Sequence, residues 1–315
     1  MKKVIITADN VSSVDKSAKS TLEQSGFIVE EHNDVTRYSP KDLVLLLKDA
    51  DAVIAGLEKY TEEVLKELPK LKLLARRGVG VDNIDPAAAA KYGIMITRTE
   101  GLVGSAVADL VMTYILENAR KLSLHCNDMR QGIWSRRLSE GVRGKTLGLV
   151  GFGSIAKETA LRANAFGMKV QCYYRHRDIS AEKAYQTNYA DFETLISTSD
   201  FISINVPLTE ETRHMFHKEI FEQMKPSSVL INTARSGIVK TADLIIALKE
   251  NKIRCAYIDV FDQEPDIDSP LHFCDNAFLT PHIGTFTRDT FTAMNNRCAE
   301  QVIEFFTNSL SNKQH

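Results

Sequence analysis

Short apolar runs alternate with longer amphipathic stretches from one end of the chain to the other, the pattern of β–α–β units that build a parallel sheet. Strands are predicted at 4–7, 28–31, 52–55, 71–75 and 94–96. Ser39 followed by Pro40 reads as an N-cap with a first-turn proline and opens a helix among them. Residues 104–124 then carry apolar side chains at helical spacing, Val107, Leu110, Val111, Tyr114 and Ile115, and predict one long helix leading to a second series. A polar stretch at 131–145 holds the only tryptophan, Trp134. The second series places strands at 146–150, 169–174, 201–205, 229–232, 256–260 and 277–279, and ends in an amphipathic helix at 288–306. That helix follows a finished sheet, so a return to the first series would make the first unit discontinuous.

Composition narrows the function classes. A length of 315 residues suggests about two domains. A net charge of −2 gives no global field for nucleic acid or an anionic membrane. Cys126, Cys172, Cys255, Cys274 and Cys298 form no C-x-x-C pair, so they read as reduced thiols and not as a disulfide frame or zinc site. The start, Met1-Lys2-Lys3, leads into an opening strand and has no signal-peptide core. No apolar stretch nears the ~18 residues of a membrane helix. A cytoplasmic protein with neither membrane nor nucleic-acid partners is expected.

The sharpest single motif follows the run at 146–150. Gly151-Phe152-Gly153-Ser154-Ile155-Ala156 opens a predicted helix reaching residue 166, the G-x-G-x-x-G/A turn in its strand–turn–helix context. The first glycine permits the tight turn and the second lets a pyrophosphate approach bare backbone. The small third residue lets helix and strand pack closely, and the helix N-terminus offers free N–H groups to phosphate. A nicotinamide dinucleotide is the implied cofactor. At the end of the next strand NAD sites carry an acid for the ribose hydroxyls. Here Tyr174 stands in that place and Arg175-His176-Arg177 follow. A cationic loop suits a 2′-phosphate, which favours NADP over NAD. A solvated basic loop is the alternative.

Three further residues each follow an apolar strand: Arg235 after 229–232, Glu264 after 256–260 and His282 after 277–279. Ligands of open α/β sheets bind at the carboxyl ends of strands. A cation, a carboxylate and an imidazole delivered there in succession fit hydride chemistry on a small acid. The guanidinium holds the substrate's carboxylate, the imidazole moves a proton, and the carboxylate favours the charged imidazole.

With these residues the chain resembles the D-isomer-specific 2-hydroxyacid dehydrogenases, which include phosphoglycerate dehydrogenases and glyoxylate/hydroxypyruvate reductases. The resemblance extends to Arg77-Gly78-Val79-Gly80-Val81-Asp82-Asn83-Ile84-Asp85, to Val206-Pro207-Leu208-Thr209-Glu210-Glu211-Thr212, and to Met224-Lys225-Pro226. It implies an α/β fold of two doubly wound parallel-sheet domains. One is a Rossmann nucleotide-binding domain at 100–286, the other a flavodoxin-like substrate domain from 1–99 and 287–315, and the protein is a homodimer. It makes Arg235 the substrate anchor, His282 the acid/base and Glu264 its partner, with Val79 and Gly80 as the loop that takes the substrate's carboxylate. Cofactor contacts are implied first at Gly151, Gly153, Ser154 and Ile155, then at Tyr174, Arg175 and His176. Further along they are implied at Val206, Pro207 and Thr212, at Thr233, Ala234 and Arg235, and at Asp259, His282 and Gly284. Two positions depart from the family pattern: Ser236 stands where glycine is usual and Asp109 where glutamate is usual.

The substrate is a small 2-keto or 2-hydroxy acid. Arg76 and Arg77 precede the glycine loop, and the resemblance places a phosphate-facing arginine of phosphoglycerate dehydrogenases at Arg76; two solvated strand-end arginines are the alternative. NADP use points instead towards glyoxylate or hydroxypyruvate reduction. The chain stops at His315, so no regulatory domain of the kind many phosphoglycerate dehydrogenases carry is expected. Glu264 is an acid where formate dehydrogenases use an amide. His214-x-x-His217 lacks a third metal ligand, and Asp51 and Glu58 have no partner pattern. A nucleotide sensor on the same fold that binds another protein is the reading of a different class. It would keep the glycine turn and lose the trio.

Overall fold

Among residues 1–311, which the computed structural model describes, twelve short strands form two parallel sheets. The last four residues of the expected 287–315 segment lie outside the described residues. The first sheet contains β1 (Lys3–Ile6), β2 (Ile28–Glu31), β3 (Ala52–Ala55), β4 (Leu73–Arg76) and β5 (Met95–Arg98), in the order β2-β1-β3-β4-β5. Its central strands are apolar at nearly every position because both faces are covered. Ile5, Val53 and Leu74 pack with Leu43 and Leu47 of the helix Pro40–Leu47. Val4, Ile6, Ile54 and Leu73 pack on the other face with Leu22 and with Cys298 and Val302. Cys298 and Val302 belong to the final helix, Arg288–Ser311, which therefore closes the back of the first sheet. Ser39 caps its helix by accepting the Asp42 N–H at 3.3 Å, an arrangement that contributes about 1 kcal/mol.

The second sheet contains β6 (Thr146–Val150), β7 (Lys169–Tyr173), β8 (Asn188–Tyr189), β9 (Phe201–Ile204), β10 (Val229–Asn232), β11 (Cys255–Ile258) and β12 (Ala277–Leu279). Its order is β12-β11-β10-β9-β6-β7-β8. The chain steps outward from β6 to β8 and then returns to β9 on the opposite side of β6. The β6/β9 boundary is thus the topological switch point, where open α/β sheets leave a crevice at the strands' carboxyl ends. Leu147 and Leu149 pack under Val111 and Ile115 of the helix Gly104–Arg120 and under Ala156 and Ala160 of the helix Ser154–Ala165. Ile202, Ile204 and Leu230 face Leu195, Phe221 and Leu244.

Two compact units result, residues 1–103 with 286–315, and residues 104–285. The divisions fall at Gly104 and Phe286, against the expected 100 and 287. The helix predicted at 104–124 is broken. It ends at Arg120, Lys121 takes a left-handed backbone with φ 53°, and a second helix runs Leu122–Arg130. Among the described residues no helix is long and apolar enough to cross a membrane.

Candidate active site

The glycine turn begins where β6 ends. Gly151 has φ 98°, and a β-carbon there would lie 2.7 Å from the carbonyl of Asn205 and 2.9 Å from the Val206 nitrogen, both just past β9. Only glycine fits that close approach. Gly153 is the N-cap of the helix Ser154–Ala165, offers no side-chain cap, and nothing lies within 4 Å of where its β-carbon would be. Gly153 and Ser154 are exposed and Ile155 is half-buried, while Ala156 is fully buried against the sheet. Uncapped helix N–H groups beside open space, at the switch point, fit the pyrophosphate of a dinucleotide.

The expected cationic loop divides. Tyr174 directs its hydroxyl inward, donating to the Glu182 carboxylate at 2.9 Å and taking the Asp178 N–H at 2.8 Å. Arg177 grips the same carboxylate with two bonds of 2.8 and 3.0 Å. Arg175 and His176 remain exposed. On the other side of the switch point Val206 is half-buried and Pro207 exposed, and the Thr212 hydroxyl donates back to the Pro207 carbonyl at 2.6 Å.

Arg235 follows β10 in a turn pinned by Asn232, whose amide donates to the Arg235 carbonyl at 2.9 Å and accepts from the Ala234 N–H at 3.1 Å. Thr233, Ala234 and Arg235 are half-buried. Sequence reading missed Asn232; an asparagine at a strand end, able to bond its own turn, was the available signal. Ser236 begins a short 3-10 turn, Ser236–Ile238, and keeps φ negative, so the departure from glycine strains nothing. Asp109 forms a 2.6 Å ion pair with Arg162.

Glu264 Oε2 lies 2.7 Å from His282 Nδ1, and Glu264 Oε1 accepts the Phe261 N–H at 3.0 Å. Burial pushes the Glu264 carboxyl up, but the His282 bond and charge, the Phe261 amide and the Arg235 charge outweigh it and hold it below its ordinary value. A carboxylate can only accept, so Nδ1 carries the proton of that bond and Nε2 is left for other chemistry. His282 itself sits at φ 53°, a strained conformation for a residue other than glycine.

Buried Asp259 holds that strain in place. Its Oδ1 accepts from Thr280 Oγ1 at 2.6 Å and from the Ile283 N–H at 2.8 Å, and its Oδ2 accepts the Gly284 N–H at 2.8 Å. Tyr114 meets Thr280 from the helix Gly104–Arg120. Burial dominates at Asp259 and keeps its carboxyl above the ordinary value despite these donors and the nearby His282. Asp259, expected as a cofactor contact, thus spends both oxygens on the loop that presents His282. Arg235, Glu264 and His282 all belong to the second unit.

In the first unit the Arg77–Gly80 loop follows β4, with Val79 exposed and Gly80 half-buried. Arg76 does not face outward as expected. It is 6% exposed, its Nε donates to the Gly80 carbonyl at 3.1 Å, and Nη1 donates to the Arg77 carbonyl. Among the described residues no three His, Cys, Asp or Glu side chains gather as a metal site.

Comparison with known proteins agrees with this geometry. Residues 112–284 match the family model "D-isomer specific 2-hydroxyacid dehydrogenase, NAD binding domain". The chain is 41% identical over 269 residues to a glyoxylate reductase of Thermococcus litoralis, covering 82% of this chain and 81% of that one. It is 37% identical over 283 residues to a D-3-phosphoglycerate dehydrogenase of Methanocaldococcus jannaschii, covering 87% of this chain but 54% of that one. A D-lactate dehydrogenase from Aquifex aeolicus, solved with NAD and lactic acid, superposes with a TM-score of 0.85 at 27% identity over 98% of this chain and 97% of that one. A glycine turn at the switch point, a paired histidine and glutamate beside an arginine, and likeness along most of the length place the chain in the D-isomer specific 2-hydroxyacid dehydrogenase family, as an oxidoreductase that uses a nicotinamide cofactor.

Proposed function

We propose that the protein reduces small 2-keto acids such as glyoxylate and hydroxypyruvate, with Arg235, Glu264 and His282 as its catalytic groups. The 2.7 Å pair between His282 and Glu264 carries this reading. When bound, the nicotinamide cofactor supplies the hydride to C2 of the keto acid, or takes it from the hydroxy acid. The Arg235 guanidinium binds the substrate's carboxylate and offsets the charge growing on the carbonyl oxygen. His282 Nε2 gives that oxygen its proton and takes it back in the reverse direction. Glu264 accepts from Nδ1 and aims the ring. To the first unit the proposal gives one role: the Val79 and Gly80 amides bind the substrate's carboxylate. The dinucleotide is held along Gly151–Ile155 and by Val206, Pro207, Thr233 and Ala234. Steady-state rates with glyoxylate and hydroxypyruvate test the reading; tight cofactor binding with no turnover of any 2-keto acid would point to a sensor instead.

NADP is the cofactor this site favours. Glu182 is bonded to Tyr174 and Arg177, and the Asp178 carboxylate caps the helix that follows, so neither is left to oppose a 2′-phosphate, and Arg175 and His176 are exposed beside them. Arg175→Ala is expected to weaken NADPH binding about 10–100-fold, the worth of a charge-assisted hydrogen bond, and NADH binding little. Fluorescence titration reads this directly, and equal effects on both cofactors would defeat it.

A homodimer in the cytoplasm completes the proposal. Leu122, Leu124, Met129, Ile133, Trp134 and Leu138 are all exposed within one 17-residue stretch, a concentration of large apolar side chains that suits contact with a second copy. Sedimentation equilibrium is expected to give twice the chain mass of 35.2 kDa, and a monomer at micromolar concentration would count against it.

A further inference from the structure

The Arg76-Arg77 pair advertises an anion site, yet both guanidinium groups are spent inside the first unit. Arg76 is folded back onto the loop it precedes, bonded to the carbonyls of Arg77 and Gly80. Gly78, with φ 141°, makes room for it; a β-carbon there would lie 3.2 Å from the guanidinium. Arg77 lies over the Phe291 ring at 4.4 Å and donates to the Asp9 carbonyl at 2.6 Å. Burial pushes the Arg77 guanidinium down to about 10.

Beneath them sits a carboxyl that no motif announced. Glu58 is 2% exposed, and its Oε1 collects Thr7 Oγ1, the Gly56 N–H at 3.0 Å and the Tyr60 hydroxyl at 2.6 Å. Its Oε2 has no hydrogen-bond partner among the described residues. Buried polar groups need partners, and the carbonyls of Asp9, Arg77 and Gly80 supply them to the two arginines from within the fold. With these acceptors internal, neither arginine depends on an outside anion.

Resting on the proposed role of Val79 and Gly80, we infer that Arg76 is a positioning residue that braces the carboxylate loop from inside, and that this loop selects keto acids without a phosphate. Binding a phosphate through Arg76 would break its bonds to Arg77 and Gly80 and move the very backbone that takes the carboxylate. A phosphorylated substrate would bring a dianion to a loop whose arginine donors are already committed.

Hydroxypyruvate and 3-phosphohydroxypyruvate differ only by the phosphate, so their ratio is the measurement. The wild-type protein is expected to show kcat/KM at least ~100-fold higher for hydroxypyruvate, the scale of losing one or two charge-assisted hydrogen bonds. Arg76→Lys keeps the charge but cannot reach both carbonyls. It is expected to raise KM about tenfold for both substrates, leave kcat little changed and preserve the ratio. Arg76→Gln should do the same, with a melting temperature to confirm folding. Equal or better use of the phosphorylated acid by the wild type would overturn the inference, as would variants that lose only that substrate. In either case turnover of hydroxypyruvate leaves the proposed function standing. Inactivity towards every keto acid sinks both.

Discussion

His282→Asn lowers kcat for keto-acid reduction by about 10²–10⁴-fold while cofactor affinity stays within a few-fold. Asparagine is the informative replacement because position 282 sits at φ 53°, which asparagine tolerates at least as well as histidine and alanine does not. The loop should therefore keep its shape, with Asp259 still holding the Ile283 and Gly284 amides. What disappears is the group that gives the carbonyl oxygen its proton. Glu264→Gln separates the partner's contribution. Glutamine keeps an acceptor of the same shape for Nδ1 but not the charge, so kcat is expected to fall about tenfold with cofactor affinity unchanged. The carboxylate itself sets the acid side of the profile. Because Glu264 is held below its ordinary carboxyl range, its pairing is complete above that range and is lost only as pH falls through the lowered value. A His282→Asn variant that keeps more than a tenth of the wild-type kcat, or a Glu264→Gln variant as active as the wild type, would end the acid/base assignment.

Much of this arrangement was legible in the chain because the signals are local. Apolar runs bounded by turn residues located eleven of the twelve strands, and the glycine turn, Arg235, Glu264 and His282 each announced themselves directly after a strand. The missed strand, β8, is two residues long, and Asn188–Tyr189 pairs only at the edge beside β7, with too few positions to show a period. The helix predicted through residue 124 failed for the opposite reason. Leu122 and Leu124 continue the apolar spacing past Lys121, but both are exposed, so the periodicity recorded something other than this chain's core. Lysine in a left-handed conformation gives no warning in a sequence.

Charge was visible where partnership was not. Arg76, Arg177 and Asp259 were read as groups turned towards ligands. The fold gives them the carbonyl of Gly80, the carboxylate of Glu182 and the amides of Ile283 and Gly284. Glu58 was set aside for want of a partner pattern and Asn232 went unremarked, because a buried polar side chain is identified by what surrounds it, and those neighbours arrive from distant segments or from the turn itself. The proposed trio of Arg235, Glu264 and His282 escaped this limit because strand ends of a parallel sheet converge by topology.

Gly151→Ala and Gly153→Ala are two residues apart and should fail in different ways. At 151 the added methyl meets the carbonyl of Asn205 at 2.7 Å and the Val206 nitrogen at 2.9 Å, and the backbone already has a φ of 98° that alanine resists. These are main-chain atoms at the end of a central strand and cannot swing aside as a side chain would. Overpacking and backbone strain together cost about 3 kcal/mol, enough to lower the melting temperature by about 6–12 °C. At 153 the φ is −80° and the methyl enters open space, so the fold should be unaffected. That open space is the proposed seat of the pyrophosphate. Gly153→Ala should therefore melt within about a degree or two of the wild type yet bind NADPH and NADH at least ~100-fold more weakly, because a methyl group displaces the phosphate from the helix N–H groups and forfeits several charge-assisted bonds. Calorimetry paired with cofactor titration distinguishes the two substitutions. Undiminished cofactor binding by Gly153→Ala would mean that the dinucleotide lies elsewhere, because no side chain can share the volume that a bound diphosphate fills.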